Sequence, residues 1–272
     1  MDLSRCLQPV DLSAIDDHVF ELHVTHHPPD AQTLGYVDKS TDKLHLSLAS
    51  GDEVTIQQSR SSLSGQALST GFVCWQLARY LVDWLLDEGC PFSGFFRTPD
   101  IKVLELGAGV SALLAAVLGP KCKKYVATDQ KPLLKLMRLN FEENVVSRRW
   151  TSRTLEWLQT GKASDTSIDI VELDWEKHDL HEIFDLLDGF PDLVIATDTI
   201  YNEYLVPFFV ETLAALMGPA SKALVTVQLR DESITTRFVE QLAAHSLCVY
   251  TIEDQYLPKA LLAGFAVYYI TK

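Results

Sequence analysis

The sequence predicts an α/β fold, a doubly wound and mostly parallel sheet of seven strands preceded by an N-terminal extension with a β-hairpin and a helix. Two observations carry this prediction. From residue 101 onward, short runs rich in β-branched residues alternate with segments of helical periodicity, a pattern typical of crossover units on a parallel sheet. A glycine-rich turn also follows the first of these runs. We therefore divide the chain into an extension, residues 1–100, that packs on a core, residues 101–272.

The extension contains a predicted hairpin, a helix and a linker. Leucines alternate with polar residues over 44–48, a Ser-Gly-Asp turn follows, and the alternation resumes over 54–56, which predicts a β-hairpin. Over 73–88 apolar residues recur at helical spacing, which predicts a helix with Trp75 on its apolar face. The stretch 91–100 is rich in Pro, Gly and Phe, and we interpret it as a linker into the core.

The core alternates strands and helices until its C-terminal end. The predicted strands cover 102–106, 125–128, 168–173, 193–196, 224–229, 248–253 and 265–270. The predicted helices cover 111–118, 132–145, 203–217 and 232–245. Because no helical pattern separates the last two strands, we expect them to pair as a hairpin, which makes one strand antiparallel to the others.

Composition and charge narrow the classes of partner. The 23 Lys and Arg against 37 Asp and Glu give a formal net charge of -14, which repels phosphate backbones and favours a basic protein partner. We therefore expect no direct binding to nucleic acid. The longest apolar stretch, 112–118, is too short to cross a membrane and no signal segment opens the chain, so we expect a cytoplasmic protein, and a monomer. The five cysteines contain no C-x-x-C pair, and no metal site is predicted.

The glycine-rich turn indicates a nucleotide-type ligand. Gly107, Ala108 and Gly109 follow the first core strand and open a helix, so a ligand can approach the backbone at a helix N-terminus. Asp129 ends the second strand about 20 positions later, where a carboxylate in a doubly wound sheet accepts hydrogen bonds from a ribose. The simpler alternatives are a tight turn without a ligand and a helix N-cap role for Asp129.

Two cofactor classes fit this turn. With Ala112 in the last place it satisfies the dinucleotide fingerprint, so a nicotinamide-dependent oxidoreductase is one alternative and a non-catalytic binding module is another. Glu105, just before the glycines, suits the ammonium group of an amino-acid-bearing cofactor, directly or through water, whereas a pyrophosphate gains nothing from it. The chain also ends in a hairpin rather than in further β-α units. S-adenosylmethionine therefore fits better.

Several motifs together resemble the seven-strand, class I S-adenosylmethionine-dependent methyltransferases and, within them, the family-16 protein-lysine methyltransferases. The resemblance covers roughly residues 71–272. It rests on Gly71 with Trp75, on the segments 103–109, 127–129 and 173–175, and on Asp-Thr-Ile-Tyr at 198–201. Ser111 stands where many members have glycine, so it either narrows the turn or begins the helix as its cap. Ser111 and the N-terminal arrangement with its hairpin are most similar to those of fungal members that act on a large-subunit ribosomal protein.

The resemblance implies a cofactor site, whose residues are Trp75, Gly107, Ala108, Gly109, Asp129, Trp175 and Thr197. A tryptophan at the end of a strand, as Trp175 is, can lay its indole against an adenine. The alternatives are that Trp175 only covers the sheet edge and that Trp75 only packs in the core.

The resemblance also implies a catalytic pair after the fourth core strand. Asp198 would accept an N–H hydrogen bond from the acceptor lysine and orient the amine, and Tyr201 would supply an aromatic wall or a hydroxyl. The alternative for Asp198 is a cap on the helix that begins near Glu203. The sequence thus predicts a protein-lysine N-methyltransferase acting on a basic protein.

Overall fold

The computed structural model describes residues 3–27, 35–59, 69–98, 100–148, 166–177 and 179–272. The strands are β1 (Leu7–Pro9), β2 (Lys43–Ser47), β3 (Glu53–Gln57), β4 (Lys102–Leu106), β5 (Lys124–Asp129), β6 (Ser167–Glu172), β7 (Leu193–Thr197), β8 (Lys222–Gln228), β9 (Cys248–Ile252) and β10 (Phe265–Thr271). The helices are α1 (Ile15–Thr25), α2 (Gln76–Leu86), α3 (Leu113–Leu118), α4 (Lys131–Arg148), α5 (His181–Leu187), α6 (Val206–Leu216), α7 (Glu232–Ala244) and α8 (Lys259–Leu262). None of these helices is both long and apolar enough to cross a membrane.

The central sheet has the strand order β1-β9-β10-β8-β7-β4-β5-β6. The five strands from β8 to β6 run parallel, and β10 lies antiparallel between β8 and β9. The α/β class, the mostly parallel sheet and the antiparallel C-terminal pairing are therefore confirmed. The strand order reverses at β4, whose neighbours are β5 and β7, and open α/β sheets bind ligands beside such a point at the carboxyl ends of the strands.

Helices cover both faces of the sheet because successive residues of each strand point to opposite sides. Val103 packs with the cluster that contains α2, α3 and the hairpin, whereas its neighbour Leu104 packs with the cluster that contains α5, α6 and α7. Tyr125 and Val126 divide in the same way. The fold is thus doubly wound, as expected.

Four elements and one connecting stretch differ from the prediction. The sheet has an eighth strand, β1, which pairs with β9 through Leu7 opposite Ile252. The short helix α8 lies between β9 and β10, where no helix is predicted, and α1 and α5 are also absent from the prediction. The stretch 91–100 is not an exposed linker, because its described part forms a short 3-10 helix and buries Phe92 and Phe96 in the core.

The predicted hairpin, β2 paired with β3, lies against α4 and is held there by two buried asparagines. Asn140 accepts a hydrogen bond from the Gln57 N–H at 2.7 Å and donates to the Gln57 carbonyl at 2.7 Å. One helical turn later, Asn144 accepts from the Thr55 N–H and donates to the Thr55 carbonyl, both at 2.8 Å. The two amides therefore satisfy the outer edge of β3 as a neighbouring strand would.

Candidate active site

A cleft of about 850 Å³, measured with its open mouth, lies at the carboxyl ends of β4, β5 and β7. It therefore occupies the place where the strand order reverses. Its walls are Thr70, Gly71, Val73, Trp75, Ala78, Gly107, Ala108, Gly109, Ser111, Asp129, Gln130, Leu133, Leu173, Trp175, Thr197, Asp198, Thr199, Tyr201 and Leu205. Every residue that the sequence singled out for the cofactor or for catalysis lines this cleft, with the exception of Glu105.

The glycine turn forms the cleft wall with its backbone. Gly107 has a φ of +71°, and a Cβ atom there would lie 2.6 Å from Cγ2 of Thr199 and 3.4 Å from the Trp175 ring. The Gly107 and Ala108 N–H groups both donate to the Thr128 carbonyl, at 3.1 and 3.0 Å, which ties the turn to the end of β5. A Cβ atom at Gly107 would overlap Thr199, and the positive φ also favours glycine, so the turn presents backbone without a side chain to the cleft.

The helix after the turn begins later than predicted. It starts at Leu113, and Ala112 precedes it in the left-handed conformation with a φ of 46°. No side chain caps this N-terminus, so the possibility that Ser111 begins the helix as its cap is wrong. Ser111 is instead buried, and it lines the cleft.

Asp129 joins the glycine turn to the end of β5. Its Oδ2 accepts a hydrogen bond from the Gly109 N–H and its Oδ1 accepts one from the Gln130 N–H, both at 2.7 Å. The helix α4 begins only at Lys131, so a simple helix cap does not describe these bonds. Burial raises the pKa of Asp129 to about 6, although both N–H groups act to lower it. Each carboxylate oxygen keeps a further lone pair for the hydroxyl of a ligand.

Trp175 and Thr197 close the side of the cleft near β7. The Trp175 ring contacts Phe209 of α6 edge to face, with centroids 5.1 Å apart, and its opposite edge lies against the glycine turn. Trp175 therefore packs against α6 and also lines the cleft where a ligand would bind. Thr197 is the last residue of β7 and lines the cleft directly.

Trp75 lies at the mouth of the cleft rather than in the core. It precedes α2 with an extended backbone, and its ring is half-buried, so the alternative of plain core packing is wrong. Tyr36 stacks on the indole with centroids 4.4 Å apart, and the Arg230 guanidinium lies 5.0 Å from its centre. The indole N–H donates to the Thr70 carbonyl at 2.9 Å. These contacts fix the ring in one orientation.

Asp198 occupies an unusual position at the end of β7. Its backbone is left-handed, with a φ of 54°, and its side chain is 3% exposed. Its Oδ2 lies 2.7 Å from Nη2 of Arg230, while its Oδ1 is buried without a partner among the described residues. Burial raises the pKa of Asp198 to about 6, against the lowering effects of Arg230 and of the nearby Gln228 backbone N–H. The cap of the turn at Glu203–Leu205 is Asn202, so the capping alternative for Asp198 is wrong.

Tyr201 connects the loop after β7 with the segment before α2. Its hydroxyl accepts a hydrogen bond from Oγ1 of Thr70 at 3.0 Å. Burial raises the pKa of Tyr201, so the phenol stays protonated at neutral pH. The ring and hydroxyl face the same cleft as Asp198.

Glu105 lies beneath the glycine turn and not in the cleft wall. Its side chain is buried, the Tyr125 hydroxyl donates to its Oε2 at 2.7 Å, and its Oε1 has no partner among the described residues. Burial has the largest effect and raises the pKa of Glu105 to about 8, whereas the hydrogen bond from Tyr125 acts to lower it. Its predicted role toward an ammonium group stays a prediction.

Several residues of the site were missed by sequence reasoning. Thr199 stands inside the Asp-Thr-Ile-Tyr motif, and its buried Oγ1 has no partner among the described residues. Tyr36 comes from a distant segment and no local pattern marks it, and no pattern predicts the pairing of Arg230 with Asp198 and Trp75. Thr70 precedes the predicted Gly71 and Trp75, and it is the link between Trp75 and Tyr201.

The cleft has the features of a site for two ligands. A carboxylate at Asp129 and a flat ring at Trp175 fit a ligand with hydroxyl groups and an aromatic base. The buried Oδ1 of Asp198 and Oγ1 of Thr199 can take part in hydrogen bonds that no described protein group provides.

Comparison with known proteins identifies a family and several similar proteins. A family model described as "Lysine methyltransferase" matches residues 51–171 and 158–245. The "Ribosomal lysine N-methyltransferase 5" of Vanderwaltozyma polyspora is 27% identical over 98% of this chain and its own full length. The protein of the same name from Zygosaccharomyces rouxii is 30% identical over 79% of this chain and 78% of its own. Among solved structures, Aeropyrum pernix fibrillarin with S-adenosylmethionine covers 88% of this chain and 98% of its own, at 13% identity and a TM-score of 0.44.

Proposed function

The chain belongs to the lysine methyltransferase family, and on that basis we propose that its cleft transfers a methyl group from S-adenosylmethionine to a lysine side chain of a ribosomal protein. One observation carries the proposal. The glycine turn after β4, Asp129 at the end of β5 and Asp198 after β7 line one cleft at the reversal of strand order. Asp129, the carboxylate for the cofactor, and Asp198, the carboxylate for the acceptor lysine, thus line the same cleft.

The cofactor half of the cleft fits S-adenosylmethionine through three groups of the chain. Gly107 presents backbone without a side chain to the cleft, so a ligand can approach the turn closely. Asp129 offers lone pairs for the ribose hydroxyls, and Trp175 offers a ring edge for the adenine. When bound, S-adenosylmethionine supplies a methyl group on a positively charged sulfur, which keeps the electron pair of the broken bond.

The acceptor half of the cleft prepares a lysine amine. The nucleophile in this transfer is the neutral amine, so the site must accept the side chain, exclude water and leave the lone pair free. The unpartnered Oδ1 of Asp198 is suited to accept one N–H of that amine and thereby to orient it. Tyr201, held by Thr70, lines the same cleft and supplies an aromatic wall for the amine.

The proposed substrate class follows from the relatives and from charge. The two relatives described above carry the name ribosomal lysine N-methyltransferase, and one of them matches this chain over nearly its whole length. Ribosomal proteins are basic, and a chain with a formal net charge of -14 attracts them at short range. We propose that the enzyme acts as a cytoplasmic monomer on the protein and makes no direct contact with nucleic acid.

The proposal is tested by labelling and by cofactor binding. The purified protein is incubated with radiolabelled S-adenosylmethionine and an extract of cells that lack its gene. We expect label in a protein that co-sediments with the large ribosomal subunit, and we expect amino-acid analysis to recover the label as methyl-lysine. Calorimetry should detect binding of S-adenosylhomocysteine and no binding of NADH.

The outcomes separate the parts of the proposal. Binding of NADH instead of S-adenosylhomocysteine contradicts the cofactor assignment. Label on lysine in a protein outside the ribosome keeps the activity and contradicts the substrate class. Cofactor binding without transfer to any protein in the extract contradicts the enzymatic function.

A further inference from the structure

Arg230 makes both of the contacts that a lysine ammonium would seek in this site. Its Nη2 lies 2.7 Å from Oδ2 of Asp198, and its guanidinium lies over the Trp75 ring, 5.0 Å from the centre. Tyr36 stacks on the same ring, with centroids 4.4 Å apart. The Trp75 ring therefore contacts two protein groups, and the charge of the buried carboxylate has a partner within the chain.

The second oxygen of the Asp198 carboxylate, Oδ1, is buried and has no hydrogen-bond partner among the described residues. The side chain as a whole is 3% exposed. A buried carboxylate oxygen normally has a partner, because the loss of water is costly. Because Arg230 occupies Oδ2, Oδ1 is the carboxylate oxygen left for a donor from the substrate.

We propose that Arg230 is a positioning residue of the methyl-transfer site: it holds Oδ2 of Asp198 and balances its charge, so that the acceptor lysine meets Oδ1 as a neutral amine. This inference rests on the proposed function. A buried carboxylate without a counter-charge would hold the lysine as an ammonium, which has no lone pair and cannot attack the methyl group. With Arg230 in place, the net charge that faces the acceptor is close to zero, and the lysine loses its proton more easily.

The other charged and titratable groups around this pair do not replace Arg230. Tyr201, from the loop after β7, stays a neutral phenol because burial raises its pKa. Asp129, at the end of β5, adds a negative charge on the cofactor side. Lys39 lies 5.9 Å from the centre of the Tyr36 ring and forms no ion pair with Asp198 among the described residues. Arg230 is thus the cation paired with Asp198 in the part of the chain that the structure describes.

The test compares the pH dependence of kcat for the wild type and for Arg230 variants, with large-subunit ribosomal proteins from purified ribosomes as acceptor. Arg230→Gln and Arg230→Met remove the charge, the latter while still covering the Trp75 ring, and Arg230→Lys keeps the charge. The matched control is Arg237→Gln, which removes a surface cation whose Nη1 lies 3.8 Å from Oε2 of Glu240 on α7. The pH dependence of kcat reports groups in the enzyme–substrate complex.

We expect the acidic limb of the kcat profile to move up by about one pH unit or more in both neutral variants, a fall of about tenfold or more near pH 7 that alkaline pH reverses. Arg230→Lys should restore the wild-type limb, and Arg237→Gln should not change it. The purified acceptor should bind the S-adenosylhomocysteine complex of Arg230→Gln as tightly as that of the wild type, or more tightly. The ammonium group of the acceptor lysine then takes the place of the lost guanidinium.

Four results would overturn the inference. A fall in kcat that is equal at every pH would make Arg230 a structural residue, and a faster variant near pH 7 would make it a competitor of the lysine. Neutral variants with the wild-type limb would contradict the inference alone. A wild-type enzyme that methylates no ribosomal protein would contradict the proposed function and this inference with it.

Discussion

Asp198 combines a left-handed backbone, a buried carboxylate and an oxygen without a partner among the described residues. A non-glycine residue with positive φ is uncommon, and such strain concentrates at functional sites. Aspartate tolerates this conformation better than most residues, because its short side chain can hydrogen-bond locally. The position therefore selects a short polar residue by its backbone, and the pairing with Arg230 makes it a charged one.

Asp198→Asn should abolish most of the activity and leave the cofactor site intact. Asparagine has the same size and tolerates the same backbone, so S-adenosylhomocysteine should bind with nearly unchanged affinity by calorimetry. We expect kcat to fall by about 100-fold or more, because orientation of the acceptor acts on the transition state. Near-normal turnover would refute the assignment.

A matched control exists for this variant. Asp188 also has a left-handed backbone, with a φ of 50°, and its exposed carboxylate forms an ion pair with Lys124 at the opposite end of the sheet from the cleft. Asp188→Asn should keep wild-type turnover, so a loss in both variants would point to the backbone conformation rather than to the site.

Asp129→Ala should weaken cofactor binding. The change removes one or two charge-assisted hydrogen bonds to the ribose, each worth roughly 1.5–3 kcal/mol, and it releases the Gly109 N–H. We expect a loss of affinity for S-adenosylhomocysteine of about tenfold or more. Because the pKa of Asp129 is raised to about 6, wild-type affinity should also fall below that pH. Asp185 is exposed, so the control variant Asp185→Ala should bind S-adenosylhomocysteine as the wild type does. Normal binding by both variants would mean that Asp129 has only a structural role.

Glu105 should make the folded state less stable at alkaline pH. Burial raises its pKa from 4.5 to about 8, so the folded chain binds this proton more tightly than the unfolded chain does. The free energy of unfolding therefore falls as the pH rises through that window. Glu105→Gln removes the proton and can still accept from Tyr125, so its Tm should exceed that of the wild type by more at pH 8 than at pH 5. Parallel Tm curves would contradict a protonated Glu105.

At the scale of elements, the hairpin and the glycine turn are held by the same helix. Besides its two bonds to Gln57, the Asn140 amide donates to the Val110 carbonyl of the turn at 2.6 Å. Asn140 is fully buried. A polar side chain in the interior of α4 thus connects the N-terminal extension to the cofactor side of the cleft.

Asn140→Ala should destabilise the protein more than its size suggests. It leaves the buried Val110 carbonyl without its partner, which costs roughly 1–3 kcal/mol, and it also removes the two part-buried bonds to the Gln57 backbone. We expect a loss of about 2 kcal/mol or more in urea unfolding, together with weaker binding of S-adenosylhomocysteine. Glu142→Ala, on the exposed side of the same helix, is the control, and equal losses in both variants would contradict the role of Asn140.

The elements that the sequence could predict are those with strong local patterns. The strands β4 to β10 and the helices α2, α3, α4, α6 and α7 were predicted from alternation and helical spacing, although α3 starts two residues later because Ala112 turns left-handed. The strand β1 has only three residues and ends in Pro9, which suits an edge strand and gives no alternation. The helix α1 exposes Phe20 and Val24, so its apolar residues mark no single buried face.

At the scale of the whole molecule, the site could be predicted as far as strand ends define it. Asp129 and Asp198 each stand at the carboxyl end of a strand, and parallel strands bring such ends to one edge. The partners of the site could not be predicted, because Tyr36 and Arg230 reach Trp75 through contacts between distant segments. Glu105 shows a further limit of prediction from sequence. Its place before the glycines does not indicate that its side chain lies beneath the turn, bonded to Tyr125, and outside the cleft wall.

The most direct test of the account is mass spectrometry of large-subunit ribosomal proteins taken from cells that lack the gene. These proteins are incubated with S-adenosylmethionine and either the wild-type enzyme or Asp198→Asn. We predict that the wild type adds methyl groups to a lysine of one protein and that the variant, which still binds S-adenosylhomocysteine, adds none. An unmodified set of ribosomal proteins with a wild-type enzyme that binds the cofactor, or equal methylation by the variant, would contradict the account.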